Sequence, residues 1–432
     1  MEKIAIIGAG YTGLSCAKHL TDNGMEVDLY EKTNQIGGMV KCIDVFNNRI
    51  EKYYRHIFKS DKYVLDLIRS LKKESSIKWN TTKMGYYSKE GLYEFGTPIS
   101  LLKYKPLSFI DKIRFGKAYL KIKLIKDYKK IENVTAEDWI IKNSGRNVYE
   151  KIWEPLLISK FGKAKDKISM AWLWGKINLR SSSGKLEGES LGYYEGSFSR
   201  LTDAINDYLI GKGCKIILNS NIQKIYKENS KWIIETEAGL KKEYDSIVST
   251  IPYSYSVKLF KEYLTEEEKQ KMNALEYTSA KILIIFMKQS FSNFYWMNIG
   301  DSSFPFGGIM EHTNMIDKKE YGDNTVLYIS NYLYKSDPQY NLSKEDLLKL
   351  YIPYLKKINP DFNEKDIVRL ECFEEEYAQP IIKTDYSKDM LDEKLNEEGL
   401  YVCTMGQIYP EDRGINYAIR EGINVANQIL NK

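Results

Sequence analysis

The chain has 432 residues, 43% hydrophobic and 28% charged, which exceeds the size of a single hydrophobic core and predicts two domains of ordinary globular composition. Its 64 basic and 59 acidic side chains leave a net charge of +5, too balanced to require nucleic acid or another polyanion as partner. The longest apolar runs, such as Ile282 to Met287, are far too short for a transmembrane helix.

Five scattered cysteines without a CxxC pair, and only three histidines, argue against disulfides and metal centres. Met1-Glu2-Lys3 runs directly into a strand with no secretory leader, so a cytoplasmic protein with reduced thiols is expected.

Lys3 to Ile7 is a short apolar run that predicts a buried strand. From Tyr11 to Asn23, Leu14, Ala17 and Leu20 recur at helical spacing, and Gly24 closes the helix. Met25 to Tyr30 predicts a second strand, completing one βαβ unit. Between the first strand and its helix stands Gly8-Ala9-Gly10-Tyr11-Thr12-Gly13, a complete GxGxxG. Gly8 permits the tight turn, Gly10 lets backbone approach a pyrophosphate, and Gly13 lets the helix pack on the strand. The helix opening at Tyr11-Thr12 offers free N–H groups and a positive dipole end to phosphates. Glu31, with Lys32 behind it, ends the second strand where an acid accepts hydrogen bonds from ribose hydroxyls. A ligand-free glycine turn is the plain alternative, and the strand and helix on either side disfavour it.

Asp61 to Leu71 predicts a helix with Val64, Leu65, Ile68 and Leu71 on one face. From Leu101 to Lys130, ten Lys or Arg stand against Asp111 and Asp127, and Phe109, Ile113, Leu120, Leu124 and Tyr128 recur near helical spacing. A helix with a solvated lysine face is the preferred reading, ahead of a face that meets an anionic membrane or substrate. Ser197 to Ile210 predicts a helix. Strands follow over Lys215–Leu218, Ile222–Tyr226, Lys231–Glu237 and Glu243–Thr250, a meander suggesting that the chain has returned to the first domain. Lys281–Met287, Thr325–Leu333 and Gly399–Thr404 predict further strands, and Leu342–Lys357 and Asn416–Leu430 predict helices.

Six residues after Glu31 comes Gly37-Gly38-Met39, and this extended motif resembles that of the flavoprotein superfamily that includes monoamine oxidase, protoporphyrinogen oxidase, phytoene desaturase and UDP-galactopyranose mutase. Gly192 to Phe198 resembles the family's glycine turn, and Asp245 to Pro252 its D-x-V-V-x-T-x-P strand. Gly399 to Gly406, leading to Gly414-Ile415-Asn416, resembles its carboxy-terminal flavin motif. The resemblance implies FAD as cofactor. It places Gly37, Gly38 and Met39 at the diphosphate and ribityl chain, Ile222 at the adenine, Gly406 and Gln407 at the ribityl group, and Gly414, Ile415 and Asn416 at the pyrimidine ring. Gln407 stands where the family often has an acid.

The expected fold class is α/β: a discontinuous Rossmann-type FAD-binding domain, with a parallel sheet and β-meander, from residues 1–60, 193–256 and 396–432. A second, α+β substrate domain would take 61–192 and 257–395. Phe161-Gly162, Trp172-Leu173-Trp174 and Tyr377 to Pro380 resemble bacterial protoporphyrinogen oxidase-like proteins. The activity implied is FAD-dependent removal of hydride from a C–N or C–C unit of a small molecule. The alternative is a redox-neutral enzyme acting on a nucleotide-sugar. Tyr54 to Asp61 resembles a mutase segment that sets a histidine beside the flavin, which makes His56 a candidate catalytic residue; a satisfied structural histidine is the plain reading. Arg180 either steers an anionic substrate or forms a structural ion pair. Trp153, Trp172, Trp174 and Trp296 are pocket or core residues. No Ser-His-Asp set, metal cluster or Walker lysine is present.

Overall fold

Ile4, Ala5 and Ile6 show no polar alternation, as expected for a strand buried on both faces, and beside them Val27 and Leu29 flank an Asp28 that is itself buried. The computed structural model places them in a five-stranded parallel sheet, with Ile4 and Ile6 in one apolar cluster and Ala5 and Ile7 in another on the opposite face. It describes the backbone of residues 2–181, 184–185 and 188–431 and the side chains of 2–179 and 189–431. In the sheet β1 (Lys3–Ile7) lies between β2 (Glu26–Tyr30) and Ser246–Ser249. Lys215–Ile217 pairs beyond β2, and Leu400–Val402 forms the other edge. The helix α1 (Tyr11–Asp22) connects β1 to β2 and packs along the C-terminal helix, Ile415–Leu430. Residues from both ends and the middle of the chain therefore share one sheet, and its phosphate-facing edge is the loop after β1.

The helix α2 (Lys62–Ser70) buries Val64, Leu67 and Ile68 in the cluster that holds α1 and the C-terminal helix. Its open amino end is capped from a distance: Asn416 Oδ1 accepts from the Tyr63 and Val64 N–H groups at 2.8 and 3.3 Å. A first-domain segment ending at residue 60 thus stops short of a helix that belongs to the same core.

Ile222–Glu228, Lys231–Thr236 and Lys241–Tyr244 form the three-stranded antiparallel meander. The strand expected over Glu243–Thr250 is two strands in two sheets. Asp245 separates them, its carboxylate accepting from the Lys3 N–H at 2.9 Å and so fixing the crossing at the start of β1.

A seven-stranded mixed sheet runs Ile367–Pro380, Tyr277–Met287, Thr325–Leu333, Gly308–Glu311, Trp296–Ile299, Met84–Ser88 and Gly91–Glu94. The segment read as one basic helix from 101 to 130 is divided into α3 (Pro98–Lys103) and α4 (Phe109–Leu124). Pro106 disfavours helix at the residue before it, and Ser108 Oγ accepts from the Asp111 N–H at 3.2 Å to start α4 afresh. Among the described residues, no helix is long and apolar enough to cross a membrane.

Candidate functional site

The loop between β1 and α1 is held from below by Thr250, whose hydroxyl donates to the carbonyls of Ile7 and Gly8 at 2.9 and 3.0 Å. The α1 amino end then sits so close to this turn that a Cβ on Gly13 would stand 2.0 Å from the Gly8 oxygen. Glycine is the one residue that fits. Gly37 closes the loop from the other side: its N–H donates to Ala9 O at 2.7 Å, and it bridges Gly10 in parallel register. Gly38, at φ 57°, leaves its Cα edge against Gly10, where a Cβ would approach the Gly10 Cα to 2.9 Å. A Cβ on Gly10 itself would meet only Gly38 Cα, at 3.8 Å. The result is a backbone cradle with open space above Gly10, no acidic side chain in the first turn of α1, and N–H groups of Tyr11 and Thr12 at the helix start. This is a fit for a dinucleotide pyrophosphate.

Glu31 is buried at the end of β2, accepting from the Ala9 N–H (3.2 Å), the Thr33 N–H and hydroxyl (3.1 and 2.7 Å) and Lys41 Nζ (3.1 Å). Burial opposes its ionisation, yet Thr33 and Lys41 hold its carboxyl below the ordinary value. Lys32 instead lies over the Tyr255 ring, 5.1 Å from its centre. Backbone N–H groups of Asn219 and Ser220 donate to Thr33 and Glu31 carbonyls, which brings the start of the Ile222 strand beside the acid.

At the other end of the chain Gly414 caps the C-terminal helix, and Ile415 and Asn416 follow in its first turn; all three line a cavity of about 810 Å³, as does Met39. Gln407 does not take part. Its Oε1 accepts from the Thr404 N–H and hydroxyl at 2.8 and 3.2 Å and its Nε2 donates to Val402 O, so the amide is spent inside its own turn. Gly406 packs against Tyr253 and Leu275.

His56 lines the cavity, with Nδ1 3.0 Å from the Tyr295 hydroxyl and its ring edge-on to Phe58 and Trp296. Trp153, Trp172 and Trp296 are also in the wall, whereas Trp174 donates to Ile125 O away from it. The Arg180 side chain lies outside the described residues. His312 is structural: it is buried against Tyr321 at 2.8 Å, and burial pushes its pKa down to about 3.

The sequence reading missed a set of charged wall residues. Asp412 accepts from Lys160 and Lys176 at 2.6 and 2.8 Å and from the Trp172 indole at 3.2 Å. Burial opposes its ionisation, but the two ammonium groups hold its carboxyl well below the ordinary range. Arg413, beside it, donates to Gln379 Oε1 and the Tyr332 hydroxyl at 3.1 and 2.6 Å. Arg55 donates to Met39 O at 2.7 Å. Asp61 accepts from the Phe58 N–H at 2.9 Å while its other oxygen is buried without a partner, and burial pushes its pKa up to about 6. Their one sequence signal is the acidic–basic pair Asp412-Arg413 directly before Gly414.

Comparison with known proteins agrees with this geometry. The chain is 25% identical over 272 residues to 15-cis-phytoene desaturase of Synechococcus elongatus, covering 58% of this chain and 56% of that protein. It is 23% identical over 292 residues to coproporphyrinogen III oxidase of Staphylococcus aureus, covering 60% and 62%. The chain thus spans less than two thirds of the length of these relatives. Among solved structures, a protoporphyrinogen oxidase candidate from Exiguobacterium sp. 255-15 superposes with a TM-score of 0.81 at 16% identity, over 100% of this chain and 99% of that one. Reduced UDP-galactopyranose mutase superposes at 0.78, also at 16%, over 100% and 94%; at such identity both show the fold alone. The family model for flavin-containing amine oxidoreductases matches residues 11–430. The chain belongs to the flavin-containing amine oxidoreductase family.

Proposed function

We propose that the protein removes hydride from a C–N or C–C unit of a small molecule held in the cavity beside His56, in the manner of protoporphyrinogen oxidase. The observation that carries this reading is the cavity itself, large enough for a substrate and walled on one side by Met39 and Gly414 to Asn416. When bound, FAD supplies the hydride acceptor. Gly8, Gly10, Tyr11, Thr12, Gly13, Gly37 and Gly38 would hold its diphosphate, Glu31 a ribose, and Ile222 the adenine. The chain's own task is then to orient the substrate and exclude water. Tyr54 and Trp296, edge-on with centres 4.9 Å apart, wall the substrate space, while the Tyr295 hydroxyl fixes the plane of the His56 ring. The names of the desaturase and oxidase relatives support the oxidative reading. The nucleotide-sugar alternative rests on the resemblance of the Tyr54–Asp61 segment and on fold likeness to the mutase, and is not adopted. Anaerobic mixing of the purified protein with candidate amines, polyenes and tetrapyrroles tests the proposal: bleaching of the flavin identifies an oxidised substrate, and its absence across all three classes counts against it.

We also infer that the α3–α4 surface rests on an anionic bilayer. Phe109 and Leu124 are 71% and 79% exposed, and Leu102, Ile110 and Leu120 are exposed beside them among the lysines of the same segment. Apolar side chains with a basic fringe suit an anionic interface better than water. Leu101, Phe115 and Tyr119 of the same helices line the cavity. Co-flotation with phosphatidylserine vesicles, weakened by Leu120→Asp and absent from phosphatidylcholine vesicles, is expected; equal flotation of wild type and variant would refute it. The cytoplasm is the compartment proposed, on the strength of five unpaired thiols.

A further inference from the structure

We infer that Arg55 and Arg413 form an oxyanion-binding recess in the cavity wall that takes a phosphate or carboxylate carried by the substrate. The inference rests on the cavity being the substrate chamber. Besides Lys83, four cations line this chamber near one another: Arg55, Lys160, Lys176 and Arg413. Lys160 and Lys176 share Asp412. Neither arginine has a carboxylate among its hydrogen-bond partners in the described residues. Arg413 donates to a neutral amide and a neutral phenol, and Arg55 to a carbonyl, with its Nε buried and unpartnered.

Partly buried cations that outnumber their counter-charges are costly, and an arriving anion repays that cost. The acids that face the pair do not play this part. Glu51, across from Arg55, is bound by the Tyr193 hydroxyl and the Phe198 N–H, and burial raises its pKa. Asp412 and, more weakly, Glu375 favour the charged form of Arg413, but the Asp412 carboxylate already serves Lys160 and Lys176, so three cations draw on it, and Asp61 is bound to Phe58. Burial lowers the Arg55 pKa, and the neighbouring Arg413 lowers it further, so the two guanidinium groups feel each other's charge. Planar guanidinium forks match the geometry of carboxylate and phosphate oxygens. The cofactor diphosphate has its own cradle: Gly8, Gly10 and Gly13 do not line the cavity that the arginines line. Another stretch of the wall is apolar, with Leu101, Phe115, Trp153 and Leu156. The recess therefore fits an amphipathic substrate, an apolar body with an acidic end.

The test is titration of the FAD-loaded protein with inorganic phosphate and, separately, with acetate at constant ionic strength, read by calorimetry and by the flavin absorption spectrum. Saturable binding of at least one anion is expected. Arg55→Gln and Arg413→Gln should weaken it roughly ten- to a hundredfold, with partial rescue in Arg413→Lys. A yellow wild-type protein that binds neither anion overturns the recess while leaving the flavoenzyme reading intact. Equal affinity in the glutamine variants also overturns it, as does a changed flavin potential in Arg413→Gln without anion binding in the wild type. A wild-type protein that holds no FAD overturns both readings, and its lack of colour tells that case apart.

Discussion

The carbonyl oxygen of Gly8 occupies the place where a side chain on residue 13 would begin, 2.0 Å from the ideal Cβ position. This contact sets α1 down on β1 and aims its amino end at the phosphate site. Gly13→Val forces the two elements apart. The expected result is a loss of about 3 kcal/mol in stability together with loss of bound FAD on gel filtration. A Gly13→Val protein that keeps full flavin would show that the cradle does not depend on this approach.

His56 touches Tyr295, Phe58 and Trp296 but carries no part of the phosphate cradle. His56→Ala is expected to keep its FAD while substrate-dependent flavin reduction slows on the order of ten- to a hundredfold, as measured by stopped-flow absorption. Parallel loss of flavin would assign the imidazole a structural role instead.

Asp61 gives a pH signature. Burial raises its carboxyl from an ordinary 3.8 to about 6, so its contribution to stability is fully present below about pH 4 and is lost as pH rises through 6. Asp61→Asn removes the buried charge. The variant should match wild type near pH 4 and exceed it at pH 7.5 by up to roughly 3 kcal/mol, followed by urea unfolding at both pH values. An equal difference at the two pH values would contradict the assignment.

Asp412 works in the opposite sense. Its carboxyl is held below the ordinary value by Lys160 and Lys176, so its stabilisation is present above about pH 4 and is lost as pH falls towards the lowered folded value. Asp412→Asn removes the carboxylate that two ammonium groups share and should cost about 3–5 kcal/mol at pH 7. Adding Lys160→Met and Lys176→Met to that variant should recover most of the loss, as read by thermal unfolding.

The parts legible in the sequence were those built by local chemistry. Gly8 to Gly13 between an apolar strand and a helix, Gly24 closing that helix, and the apolar runs at Thr325–Leu333 and Ile282–Met287 each carry their own signal. The parts that were not legible depend on distant partners. Ile367–Pro380 reads as an acidic run because Glu371, Glu374, Glu375 and Glu376 crowd it, yet among the described residues it forms an edge strand paired with Tyr277–Met287. The hairpin of Cys42–Val45 and Asn48–Glu51 is too short to show a period. At the site, Gln407 matched a motif position but found nearer partners in Thr404 and Val402. Arg55, Lys160 and Asp412 are far apart in sequence, and the fold alone brings them to one wall.

The measurement that bears most directly on the account is the cofactor content of the purified protein, by absorption spectrum and by analysis of the nucleotide released on denaturation. One FAD per chain, bleached by a strong reductant and restored by an acceptor, is the result expected. A colourless protein that binds NAD tightly at the Gly8–Gly13 loop and takes up no flavin would contradict it.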